Sequence, residues 1–182
     1  IFMARLHTGD KMPDFTFHTG YEEGRTVYGS LKGRTVFWVL RYIGCTICRY
    51  DVHMIARRYS EFQAKGAQVF VVMQSDPAHV RDDLKETKLP FDIICDEKQE
   101  IYRELDIAPA ESMEALGGGQ MERLQAKAAA AKACGFTHGD YEGNEQQLPA
   151  MFIVEEDGTV SYAHYAANVM DMPTVDQVLA ML

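Results

Sequence analysis

Two uninterrupted apolar runs stand out along the chain, Thr35-Val36-Phe37-Trp38-Val39-Leu40 and Val69-Phe70-Val71-Val72-Met73. Runs without polar alternation suit strands buried on both faces of a parallel sheet. Between them, Ile47, Val52, Ile55, Tyr59 and Phe62 recur near helical spacing, which predicts a helix over 47–65 stopped by Gly66. Strand, helix and strand of these lengths predict a right-handed βαβ crossover.

The alternation continues downstream. Asp76-Pro77 predicts an N-cap followed by proline at the first helical position, opening a helix to about Glu86. Phe91–Cys95 reads as a short strand and Glu97–Leu105 as a short helix. Ala150–Val154 and Thr159–Tyr165 read as strands joined by a turn at Asp157-Gly158. Thr174 with Gln177 makes a capping box for a last helix ending near Leu182. Residues 10–30 predict a peripheral strand or hairpin around Phe15 and Phe17.

One segment, 107–147, fits this pattern badly. Gly117-Gly118-Gly119 breaks it, and the alanine-rich stretch Met121–Cys134 is helical by propensity but has few large apolar groups to bury. It reads as an inserted helical flap, and covering an active site and filling a dimer interface stand as equal alternatives for it. The expected fold is therefore α/β: one domain over 1–182 with a central mixed sheet. That sheet is parallel in the middle, has an antiparallel hairpin at one side, and carries helices on both faces.

Composition narrows the classes. With 182 residues, 47% hydrophobic and 25% charged, the chain suits a single soluble globular domain. A net charge of −9 argues against a nucleic-acid partner and against docking on an anionic membrane. No apolar run approaches the ~18 residues of a membrane span. The four cysteines, Cys45, Cys48, Cys95 and Cys134, are not placed like those of a small secreted disulfide scaffold. Mostly free thiols in a reducing, cytoplasmic compartment are expected, with a targeting segment ahead of Ile1-Phe2-Met3 left open.

Cys45 and Cys48 have the informative spacing. The pattern puts Cys45 in the loop leaving a central strand, where backbone and solvent access favour attack, and Cys48 in the first helical turn. Residues three apart on a helix share a face, close enough for a disulfide. The helix N-terminus offers free N–H groups and partial positive charge, which stabilise a thiolate, and Arg41 and Arg49 add charge nearby. A zinc site would need a second Cys-x-x-Cys or a paired-histidine motif, and none follows, so no metal is expected. His138 and His164 lie far from the pair in sequence and from each other, and His53 reads as solvated. Glu22-Glu23, Asp82-Asp83 and Glu155-Glu156 read as solvated surface charge. Cys95 ends an apolar strand and reads as a buried core residue, while Cys134 is a weak candidate for a second resolving thiol.

Four stretches together resemble the AhpC/TSA branch of the thioredoxin-like superfamily, the peroxiredoxin-like proteins. They are Gly9-Asp10-Lys11-Met12-Pro13-Asp14-Phe15, Leu31-Lys32-Gly33-Arg34-Thr35-Val36-Phe37, Gly44-Cys45-Thr46-Ile47-Cys48-Arg49, and Leu148-Pro149-Ala150-Met151-Phe152-Ile153-Val154 with the following Glu155-Glu156-Asp157-Gly158. The resemblance covers most of the chain except 107–147. It implies a thioredoxin-like fold, Cys45 as the attacking (peroxidatic) cysteine, Cys48 as the resolving one, and Pro149 as a cis-proline facing the dithiol and docking substrate. Arg41, Arg49 and Tyr42 complete the expected substrate-binding set. Peroxiredoxins usually carry proline seven residues and threonine three residues before the attacking cysteine; here those positions are Trp38 and Tyr42. Thioredoxins place a buried acid where Val36 stands.

The implied activity is thiol–disulfide oxidoreduction of an antioxidant kind, with no bound cofactor and an external dithiol or disulfide partner. Reduction of hydroperoxides through a Cys45 sulfenic acid is the alternative, and a non-enzymatic redox sensor or adaptor is a third class. A homodimer is a further expectation.

Overall fold

The two longest apolar runs lie side by side at the centre of the sheet. In the computed structural model, which describes residues 4–182, β3 (Arg34–Val39) and β4 (Ala67–Met73) pair in parallel, Phe37 opposite Phe70 and Val39 opposite Val72. β5 (Asp92–Cys95) joins β4 in parallel, and β6 (Ala150–Val154) joins β3 antiparallel. β7 (Val160–Tyr165) closes the hairpin with β6 at one edge. At the other edge β1 (Thr16–Thr19) runs antiparallel to β5, with β2 (Arg25–Thr26) beyond it. Among the described residues these seven strands form one mixed sheet in the order β2-β1-β5-β4-β3-β6-β7. The expected peripheral hairpin is present, and Phe15 and Phe17 are buried there.

Side-chain alternation splits the core in two. Val36, Trp38, Val71, Met73 and Met151 face one layer, and Phe37, Val39, Phe70, Val72 and Phe152 face the other. On the second face sit α1 (Val27–Ser30) and α5 (Glu100–Glu104), which contribute Val27, Ile101 and Tyr102. The buried Asp96 carboxylate starts α5 by accepting from the N–H groups of Glu100, Ile101 and Tyr102. That helix opens at Glu100 rather than Glu97, because Gln99 adopts a left-handed conformation just before it.

The first face carries α2 (Thr46–Arg57), α3 (Tyr59–Ala64) and α8 (Val175–Met181). The single helix expected over 47–65 is thus two. Arg58 leaves helical geometry at φ −113°, ψ 13°, and its guanidinium is drawn to Glu61 and Asp176. The apolar spacing runs straight through this break, so the pattern carries no mark of it. α4 (Pro77–Asp83) has the expected Asp76 cap but ends before Glu86, and α8 has its Thr174–Gln177 capping box.

Segment 107–147 contains α6 (Met113–Gly117) and α7 (Met121–Ala133). α7 lies against α2, where Leu124 and Ala128 meet the core and Lys127 Nζ pairs with Asp51 at 2.6 Å. No helix among the described residues is long and apolar enough to cross a membrane.

The Lys127–Asp51 pair is only 19% and 23% exposed, so removing one partner strands a largely buried charge. Lys127→Met is expected to cost about 2–4 kcal/mol in urea unfolding, and adding Asp51→Leu to recover part of it. Equal stability of Lys127→Met and wild type would show that α7 is not fastened here.

Candidate active site

Past Val39 the chain leaves the sheet under tight backbone control. Leu40 N donates to Val72 O, Gln74 N to Arg41 O at 2.7 Å, and Ile43 N to the Ser75 hydroxyl at 2.8 Å. A turn closes with Cys45 N donating to Tyr42 O. Gly44 is required by close approach, since a Cβ there would lie 2.3 Å from the Asp140 carbonyl oxygen. Cys45 is the N-cap of α2, and its sulfur accepts from Cys48 N–H at 3.4 Å. The two cysteines approach to 2.7 Å as free thiols.

Arg41 Nη2 donates to Cys45 Sγ at 3.1 Å, and its Nη1 donates to the Glu145 carbonyl oxygen at 2.9 Å. Its Nε is buried without a partner. Burial opposes ionisation of Cys45. The Cys48 thiol hydrogen bond, the Arg41 charge and the Cys48 N–H outweigh it and bring the Cys45 thiol down to about 6. Burial, and the bond it donates to Cys45, push the Cys48 thiol well up. The pair therefore loses its first proton at Cys45.

The expected solvent access of Cys45 is not found: Cys45 is 1% exposed and Cys48 3%. Both cysteines belong to the apolar cluster of the first face, and the loop after α7 is fastened to the residues that flank them. Gly139 N donates to Gly44 O at 2.8 Å, and Asn144 is gripped by the Gln74 side chain through both its N–H and its C=O. Farther out, Glu142 accepts from Asp76 N and pairs with His79 at 2.8 Å. So the segment 107–147 is tied to residues on either side of the cysteine pair.

Tyr42 buries its ring completely and donates its hydroxyl to the Glu145 carboxylate, with His138 Nε2 at 3.0 Å from the same oxygen. Arg49 is committed elsewhere than the sulfurs. It donates to Ile43 O at 2.9 Å and Thr137 O at 2.7 Å and pairs with Asp83. Asp83 is accordingly half-buried and ion-paired rather than solvated, and Glu155 pairs with Arg34. His53 is likewise not simply solvated, its ring meeting Phe136 edge-on at 5.4 Å.

The sequence profile of the AhpC/TSA family matches residues 8–163, well over half of the chain. The chain belongs to the AhpC/TSA family. Membership makes it a thiol-dependent oxidoreductase. No curated protein sequence matches it. Among solved structures, a peroxiredoxin-like protein from Aquifex aeolicus is 15% identical with a TM-score of 0.68, covering 99% of this chain and 88% of that one. A yeast mitochondrial 1-Cys peroxiredoxin is 12% identical at TM-score 0.69, covering 97% and 74%. Enterococcus faecalis AhpC is 13% identical at TM-score 0.66, covering 96% and 89%. These likenesses establish the thioredoxin-like fold.

Within this AhpC/TSA chain, the expected cis bond before Pro149 is absent. No peptide bond among the described residues is cis. Pro149 is buried at the entry to β6, where no N–H is required of it, and its carbonyl accepts from Ala166 N. Trans is the ordinary lower-energy isomer, and nothing at this strand start selects the other. Cys95 is buried and its thiol pushed up to about 12, first by burial and then by Glu97. Cys134 is exposed at the end of α7. Among the described residues no cluster of three or more His, Cys, Asp and Glu is placed to hold a metal.

Sequence reasoning missed Gln74, Glu145 and the contact made by His138. The one available signal was glycine: Gly143 lies so close to Gln74 that a Cβ would sit 2.6 Å from its Oε1. Repeated glycines in a polar loop mark backbone approach, though not its target.

A thiol near 6 in the fold and near ~8.5 when unfolded binds fewer protons folded than unfolded between those values. Stability from Cys45 is then fully present above about pH 8.5 and lost as pH falls through 6. The melting temperature of the reduced protein should accordingly rise relative to Cys45→Ala across that window. A difference that does not change with pH would mean Cys45 is not ionised in the fold.

Proposed function

We propose that this AhpC/TSA protein reduces small hydroperoxides through Cys45 and Cys48 and is regenerated by an external dithiol. The observation that carries the reading is the Arg41 guanidinium 3.1 Å from a buried Cys45 sulfur held at about 6. A thiolate available at neutral pH is the nucleophile, and a sulfur this deeply buried favours a small oxidant over a bulky disulfide.

In the first step the Cys45 thiolate attacks one peroxide oxygen and the O–O bond breaks. Cys45 becomes a sulfenic acid, and the departing alkoxide or hydroxide takes up a proton from water. The Arg41 charge stabilises the oxygen anion as it forms, and its unpartnered Nε–H is a free donor for it. Cys48 then displaces hydroxide from the sulfenic sulfur, forming the Cys45–Cys48 disulfide and releasing one water. The external dithiol reduces that disulfide by exchange and is itself oxidised. The yeast mitochondrial relative is described as resolved via glutathione/thioredoxin systems, which supports a partner of that chemistry.

Direct exchange with a partner disulfide is the second reading. It is favoured by the position of Cys45 as the cap of the helix that carries Cys48 three residues on. Stopped-flow oxidation of the reduced protein by hydrogen peroxide, set against a small disulfide, separates the two. Peroxide should react faster, though well below ~10⁸ M⁻¹s⁻¹, since the Tyr42 hydroxyl is committed to Glu145. Cys45→Ser should abolish turnover, and Cys48→Ser should stop at the sulfenic acid or a mixed disulfide. Faster reaction with the disulfide would favour the second reading. Retained turnover in Cys45→Ser would sink both.

A further inference from the structure

Resting on the reading of Cys45 as the attacking thiolate, we infer that Gln74 and Tyr42 are positioning residues. They hold the Glu145 peptide against Arg41 and thereby keep Arg41 aimed at Cys45.

The guanidinium is a rigid planar fork, so fixing one terminal nitrogen fixes the direction of the other. Arg41 places Nη1 on the Glu145 carbonyl and Nη2 on Cys45 Sγ. Glu145 belongs to a stretch without helix or strand, so its place is set by what grips it. Gln74, 0% exposed at the end of β4, supplies one grip. Its Oε1 accepts from Asn144 N at 2.9 Å, and its Nε2 donates to Asn144 O at 3.2 Å and to Arg41 O at 3.4 Å. One buried amide thus ties the residue before Glu145 to the backbone of Arg41 itself. An amide left unpaired at such depth is costly, which holds the loop residue in place.

Tyr42 supplies a second grip, on Glu145 itself, beside the bond from Ala110 N to the Gln146 carbonyl. Its ring is 0% exposed, which fixes the hydroxyl in space, and that hydroxyl donates to the Glu145 carboxylate. Neither side chain forms a hydrogen bond to a cysteine sulfur among the described residues, and the bond from Cys45 N to the Tyr42 carbonyl survives Tyr42→Phe, so the two side chains act on Cys45 through Arg41.

The test is a double-mutant cycle read by iodoacetamide alkylation of Cys45 against pH, with mass spectrometry reporting the site. At about pH 5, below the midpoint, and relative to each variant's own plateau rate at high pH, Tyr42→Phe and Gln74→Met are each expected to slow alkylation about three- to tenfold, a midpoint shift of about 0.5–1 unit. In an Arg41→Met background neither should add more than about 1.5-fold, because the element they position is gone. Glu145→Gln keeps an acceptor for the Tyr42 hydroxyl and should stay near wild type. An unchanged profile in both single variants, or equal slowing with and without Arg41, overturns the inference. Should Gln74→Met fail to fold by circular dichroism, Tyr42→Phe, which keeps its ring in the core, decides with its Arg41→Met partner. An unshifted midpoint in Arg41→Met alone would instead bring down the reading of the site and this inference with it.

Discussion

Burial by itself would keep the Cys45 thiol protonated, and the hydrogen bond from Cys48 together with the Arg41 charge reverses that preference. The contact at 3.1 Å between Arg41 and Cys45 depends on two separate parts of the fold. The register of β3 against β4 sets where Arg41 leaves the sheet, through the bond from Gln74 N to its carbonyl. The start of α2 sets where the sulfur sits, because Cys45 is the cap. A four-residue turn joins them, anchored by Ile43 on Ser75 and by Gly44 against the loop. Guanidinium and sulfur are therefore both placed by backbone geometry.

Burying such a site has two opposed effects. Excluding water strengthens the attraction between guanidinium and thiolate, since the interaction grows as the local dielectric falls. The same burial removes water as a partner for the polar groups around the site, so each must find a protein partner. Here the loop itself meets that demand: the Glu145 carbonyl takes one Arg41 nitrogen, the Glu145 carboxylate takes the Tyr42 hydroxyl, and Asn144 takes both ends of the Gln74 amide. Two atoms are left over: Glu142 Oε1 in the loop, and Arg41 Nε, which lies in the group that also touches the sulfur.

The scaffold was legible in the sequence because its signals are local. Unbroken apolar runs gave β3 and β4, Thr174 and Gln177 gave the last cap, and Cys45 and Cys48 stood out by spacing alone. Arg49 shows where adjacency misleads. One residue along a helix turns a side chain by about 100°, so following Cys48 carries Arg49 away from the sulfurs toward Asp83 and Thr137. The attachment of segment 107–147 was invisible for a different reason. Its bonds to Arg41 and Tyr42 span 104 and 103 residues, they come from a loop, and polar loop contacts have no period to detect.

Tyr42 and the segment 107–147 are coupled. The peroxiredoxin resemblance implies a threonine where Tyr42 stands, and Tyr42 carries its hydroxyl a full ring farther out. There it reaches Glu145. A threonine at this position would leave that carboxylate without its donor, and the segment without one of its grips. Conversely, the Tyr42 side chain is buried, and a buried hydroxyl without an acceptor costs about 1–3 kcal/mol, a demand the Glu145 carboxylate meets. Tyrosine and segment thus support each other. What they jointly hold is the Glu145 carbonyl, the second ligand of the arginine that touches Cys45.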